Sequence, residues 1–139
     1  MIPHNAATPG ITRNGTGLQR GRASLIALWL TQVALAMMFL MAGGSKLAGV
    51  PAMVSLFDAL GFGQWFRYLT GVIELTSGIA LLVPSAAIFG AMLLIPTMLG
   101  AAAANLFLGQ SPAPPLVLLV VAAAVAWTRR DQLQGLFAR

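Results

Sequence analysis

The chain has no cysteine, one histidine and only three acidic residues in 139. Each shortage closes off a class of chemistry. Without thiols the chain can form no disulfide, thiol relay, iron–sulfur ligation or Cys-type zinc site of its own. His4 stands alone in a polar N-terminal stretch, so no haem or metal held by this chain is expected. Charge is scarce: 8% of residues carry one, against about a quarter in soluble domains. So little charge cannot cover a water-facing surface. Apolar residues take its place, at 58% of the chain with a mean hydropathy of +0.86. These figures point to an integral membrane protein built as one compact unit, and the long apolar runs described below make the expected fold all-α.

The net charge of +5 raises the question of nucleic acid. The basic residues form no patch interleaved with aromatics. They sit at the ends of apolar runs, where membrane proteins carry their orientation charges, so no nucleic-acid partner is expected. No GxSxG, Walker, HExxH or GxGxxG pattern occurs, and a conventional catalytic triad or metal site has no support.

The pattern along the chain predicts four transmembrane helices, about 24–44, 67–83, 85–108 and 114–128. Residues 1–22 are rich in Gly, Pro, Asn and Thr and predict a disordered tail. The membrane domain is expected over 23–130, with a short tail over 131–139. The first run matches the roughly 20 residues of a spanning helix and exceeds the roughly 7–15 residues of a signal-peptide core. Pro96 falls inside the third helix, and neighbouring helices can tolerate it there. Between the first and second helices, PAMVSLFDALG sets Met53, Val54, Leu56, Phe57 and Leu60 at helical spacing. That predicts a short helix lying in the interface or capping the bundle. Arg13, Arg20, Arg22, Arg129, Arg130 and Arg139 flank the two ends of the domain, against Lys46 and Arg67 on the other side. The excess places both termini in the cytoplasm, as in a bacterial inner membrane. Met37, Met38 and Met41 are read as packing residues, and Asp58 as solvated.

Glu74 is the anomaly, an acid inside an otherwise apolar run. A charge near mid-membrane costs several kcal/mol. It can carry a proton, pair with a cation or face a wet cavity. Arg67 lies two helical turns away on the same face, about 10 Å along the axis. Lys46, at the end of the first helix, is the other candidate partner. Arg67, Thr70, Glu74 and Ser77 make one polar stripe, with Gly71 and Gly78 beside it permitting close helix approach. Asn105 on the third helix falls at the same level. Lys46, Arg67, Thr70, Glu74 and Asn105 are therefore the candidate ligand-binding or proton-handling residues, and none is read as conventionally catalytic. The bland alternative is that Glu74 only ties helices together. Lys46 alone reads as an end anchor, and Asn105 alone as interhelical glue.

GGSKLAG, MVSLFDALG and WFRYLTGVIELTSGIALLVP together resemble the DoxX-like family of small four-helix membrane proteins, over roughly Ser24 to Thr128. The resemblance implies an accessory subunit of a quinone-linked redox complex, with a quinone or similar apolar ligand near Glu74. Glu74 would exchange a proton with a ligand oxygen, Arg67 and Lys46 would tune it, and Thr70 or Asn105 would supply hydrogen bonds. The lipid bilayer is one expected partner, and a redox protein or a second copy of the chain is another. Two other readings stand beside it: a non-catalytic scaffold or assembly factor, and a small-solute or proton transporter.

Overall fold

The computed structural model describes residues 15–138. His4, Arg13 and Arg139 lie outside the described residues, as does most of the stretch expected to be a disordered tail. The chain folds as α1 (Gly15–Ala48), α2 (Pro51–Leu60), α3 (Gln64–Leu82), α4 (Ala87–Phe107), α5 (Ala113–Thr128) and α6 (Asp131–Phe137). Among the described residues there is no strand.

Several ends differ from expectation for local reasons. α1 is already helical at Gly15, ahead of Ser24: Leu18, Gln19, Arg20 and Arg22 favour helix, although Gln19, Arg20 and Arg22 are too polar for a bilayer. It also runs past Gly43 and Gly44 to Ala48, since that segment is packed against α3. Gly49, at φ 71°, ends it in the left-handed conformation. The C-terminal tail contains α6, which is set at 50° to α5.

α3 is the central helix, packed along α1 on one side and α4 on the other, while α5 packs mainly on α4. Glycine sets the spacing between them. A Cβ on Gly43 would lie 2.7 Å from the Gly71 carbonyl oxygen, and one on Gly78 would lie 2.9 Å from Leu40 Cγ. A Cβ on Gly90 of α4 would lie 2.7 Å from the Ser77 carbonyl oxygen. The backbones therefore approach as closely as small-residue membrane interfaces allow. Leu35, Phe39, Leu81, Leu94, Met98 and Val125 fill the core between them. Met37, Met38 and Met41 are not part of that core. They are 51%, 52% and 72% exposed on the outer face of α1, which corrects their reading as packing residues.

By length and composition, α1 (over Gly21–Ala48) and α4 can each cross a membrane, and α5 with α6 forms a bent pair that qualifies jointly. α3 has the length, at 19 residues, but Gln64, Arg67, Thr70, Glu74 and Ser77 make it too polar to pass as an apolar span. The polar stripe that drew attention to this helix is also what hides it from a hydropathy test.

Candidate functional site

Glu74 lies on the α3 face that meets α1. It is 4% exposed, one turn beyond the Gly43–Gly71 contact. That contact brings α1 so close that Lys46, one turn further along α1, reaches over: Lys46 Nζ donates to Glu74 Oε2 at 2.6 Å. The pair is largely shielded, with side-chain exposures of 14% for Lys46 and 6% for Glu74. Charge-assisted hydrogen bonds of this length are among the strong ones.

Arg67 does not join that pair. Its guanidinium turns toward the end of α1, where Nη1 donates to the Lys46 carbonyl oxygen. The carbonyls at a helix C-terminus are unsatisfied and carry partial negative charge, and they lie closer to Arg67 than a carboxylate two turns away. Gly49, which its φ of 71° requires, lies beside the guanidinium, where a Cβ would make only an ordinary contact at 3.6 Å from Nη1. Arg67 Nε donates to Gln64 Oε1 at 2.5 Å, and the guanidinium lies 4.3 Å from the Tyr68 ring centroid. Gln64 in turn donates to Asp58 Oδ1 at 2.6 Å and to the Val54 carbonyl at 3.1 Å. Asp58, read as solvated, is exposed but accepts this bond. Arg67 thus ties α1, α2 and the start of α3 together. Gln64 was missed in the sequence because its partners come from another element.

Lys46, Thr70, Glu74 and Asn105 line one cavity of about 200 Å³, together with Thr97 and the apolar side chains of Phe57, Leu60 and Phe66. α2 roofs it with Met53, Leu56, Phe57 and Leu60. Phe57 is the one buried residue of that helix, and its ring lies 5.9 Å from that of Phe66. Two further cavities adjoin. One of about 250 Å³ shares Leu60, Phe66 and Ala104 and extends to Phe62 and Phe107. The other, of about 280 Å³, shares Phe66, Thr70 and Thr97 and extends along Leu69, Leu93 and Pro96. Ligand sites commonly occupy about 300–1,000 Å³ and are mostly apolar with a few placed polar groups. The three neighbouring cavities together make a groove of that character, with its polar groups gathered at the Glu74 end. Four of the five candidate residues therefore meet in one cavity, and Arg67 stands outside it.

A second polar cluster sits at the opposite end of the bundle. Gln32 of α1 is fully buried; its Nε2 donates to the Leu81 carbonyl, and its Oε1 accepts from Arg129 Nη2 at 3.1 Å. The Arg129 guanidinium lies 5.1 Å from the Trp29 ring centroid, and Arg130 lies 4.4 Å from Trp127. Ser77 continues the α3 stripe between the two ends, but its hydroxyl is buried with no partner among the described residues. The tight contacts at Gly78 and Gly90 enclose it. Among the described residues no group of His, Cys, Asp or Glu gathers to hold a metal ion.

No curated protein and no solved structure matches the chain. The model of the DoxX-like family matches residues 30–127, a stretch that holds the salt bridge, the cavity and Gln32. With that match over most of its length and its long apolar helices, the chain belongs to the DoxX-like family and is a membrane protein.

Proposed function

We propose that the protein is a four-span accessory subunit of a quinone-linked redox complex, and that its groove holds a quinone or similar apolar ligand with the head near Glu74. The observation that carries this reading is the cavity where Lys46, Thr70, Glu74 and Asn105 meet at the polar end of an apolar groove. The lining suits such a group: Phe57, Leu60 and Phe66 offer apolar and aromatic contact to a ring, and the Lys46–Glu74 pair offers both a donor and an acceptor to its oxygens. A bound quinone would supply the two-electron chemistry, which this chain's own side chains lack. Glu74 is positioned to hold a proton beside a ligand oxygen, Lys46 to hold the carboxylate in place, and α2 to keep water out. A redox partner protein, or a second copy of the chain, would supply or accept the electrons.

In this reading α1, α3, α4 and α5 each cross the bilayer, with α2 over the outer end. The termini lie in the cytoplasm of a bacterial inner membrane, following the excess of arginine at their end. At 16 residues, α5 is about 24 Å long, a short span, and the bent α6 that follows lies in the cytoplasmic tail beside the interface. Residues 1–22 and 131–139 are the cytoplasmic tails.

The scaffold reading has a specific observation in its favour. Glu74 is already paired at 2.6 Å, and Arg67 serves as a three-element tie, so both buried charges have structural work without any ligand. Transport is the weakest reading, because the close contacts at Gly78 and Gly90 seal the bundle between its polar ends.

Native mass spectrometry on protein extracted gently from its own membrane decides between the first two. A stoichiometric apolar ligand, lost in Glu74→Gln while the fold is kept, is the expected result. A ligand-free bundle, alone or bound to another protein, would overturn the ligand reading in favour of the scaffold.

A further inference from the structure

At the polar end of the groove, side-chain acceptor atoms outnumber donor atoms. The Thr70 hydroxyl donates within its own helix, where Oγ1 lies 3.0 Å from the Phe66 carbonyl oxygen and 3.1 Å from that of Arg67. The Thr97 hydroxyl donates to the Leu93 carbonyl at 2.7 Å. Each threonine therefore offers the cavity lone pairs and no proton. Asn105 Nδ2 donates to the Ser111 carbonyl at 2.8 Å, which leaves its Oδ1 as an acceptor. Glu74 meets Lys46 through Oε2, and among the described residues nothing donates to Oε1. On the donor side the Lys46 ammonium gives one of its three hydrogens to the carboxylate and keeps two, and Asn105 keeps its second amide hydrogen. The rest of the lining is Met53, Leu56, Phe57, Leu60, Phe66 and two alanines, with no side-chain donor among them. Charge points the same way. Lys46 and Glu74 offset each other, so a head group with a formal charge meets no free counter-ion.

We propose that the groove selects a neutral amphiphile whose head donates hydrogen bonds, namely a hydroquinone or isoprenoid alcohol, over the matching quinone or carboxylate. The head hydroxyl donates to Glu74 Oε1, with Thr70 and Thr97 as further acceptors, and the tail follows Phe66 into the two adjoining cavities. A carbonyl oxygen beside Glu74 Oε1 would face lone pairs and have only the Lys46 ammonium and the Asn105 amide to turn to, and a carboxylate would face the same lone pairs with a full charge. Sites built to pair with a ligand hydroxyl reject the analogue lacking it strongly, because their own buried polar groups are left unpaired. This inference rests on the groove being a ligand site, as proposed above, and names the ligand class it takes.

The test uses the full chain in lipid nanodiscs under anaerobic conditions, with binding quantified by native mass spectrometry. Two matched pairs serve as probes: decylubiquinol against decylubiquinone, and geranylgeraniol against geranylgeranoic acid. The hydroxyl member of each pair is expected to bind at least about tenfold more tightly. The near-isosteric Thr97→Val and Thr70→Val, which leave the Lys46–Glu74 pair intact, are expected to shrink that preference several-fold without loss of fold. Equal or tighter binding of the quinone and the acid overturns the selectivity while leaving the groove a ligand site. Binding of none of the four probes to folded protein overturns both readings.

Discussion

Lys46 and Glu74 are held together by the geometry of their neighbours as much as by their charges. Without the Gly43–Gly71 contact the ammonium could not reach the carboxylate at 2.6 Å. Gly43→Val should therefore push α1 from α3 and lower stability by about 1–3 kcal/mol, read from detergent-induced unfolding followed by tryptophan fluorescence. Removing one charge should cost more, because the other is left buried and unpaired. Lys46→Met is expected to lose about 3–5 kcal/mol, and the double variant Lys46→Met/Glu74→Met to regain most of it. A double variant as unstable as the single one would mean the pair is not an energetic unit. Glu74 itself was legible in the sequence, since an acid in an apolar run stands out by cost alone. The choice between Lys46 and Arg67 was not, because rotation of a helix about its axis leaves no mark on the spacing of its residues.

At the scale of elements, α2 is the part least secured by burial. It hangs between Gly49 and Gly61, both at positive φ, and keeps its place through Phe57 and the Asp58–Gln64–Arg67 chain of hydrogen bonds. Local openings draw on such regions first. Arg67→Met should speed hydrogen–deuterium exchange in α2 and the last turn of α1 by tenfold or more, with α4 and α5 unchanged. Uniform acceleration across all helices would instead mark Arg67 as a determinant of global stability. The helix itself was readable from Pro51 at its first turn and the apolar spacing after it. Its attachment was not: a glutamine ahead of the α3 stripe looks like any interface residue until Asp58 and Arg67 flank it in space. The outward-facing methionines of α1 teach the complementary lesson. In a bilayer an apolar residue gains nothing by facing inward, so hydrophobicity does not tell the core from the lipid side.

At the scale of the molecule, α3 packs between α1 and α4, and α5 packs on α4 and returns to α1, closing the bundle. The four crossings proposed above predict that Ser85 lies on the side of the termini while Asp58 and Ser111 lie opposite. Because the chain has no cysteine of its own, a single introduced thiol can be read without background. Ser85→Cys should react with an impermeant maleimide only from the cytoplasmic side, and Asp58→Cys and Ser111→Cys only from the other. Labelling of Ser85→Cys and Ser111→Cys from the same side would remove a crossing from the topology. The long apolar helices were legible because a crossing asks for about 20 apolar residues in a row, whereas α6 and the N-terminal extension of α1 were not, since neither carries such a run. The closure of the bundle around Ser77 has one more consequence. In the ligand reading proposed above, the groove is a cul-de-sac: whatever slides in beneath α2 would have to back out by the same door, into the leaflet it came from. Its exchange would then be governed by the supply of that leaflet alone, and a ligand loaded into the opposite leaflet of a sealed vesicle would reach Glu74 only as fast as it flips across the lipid.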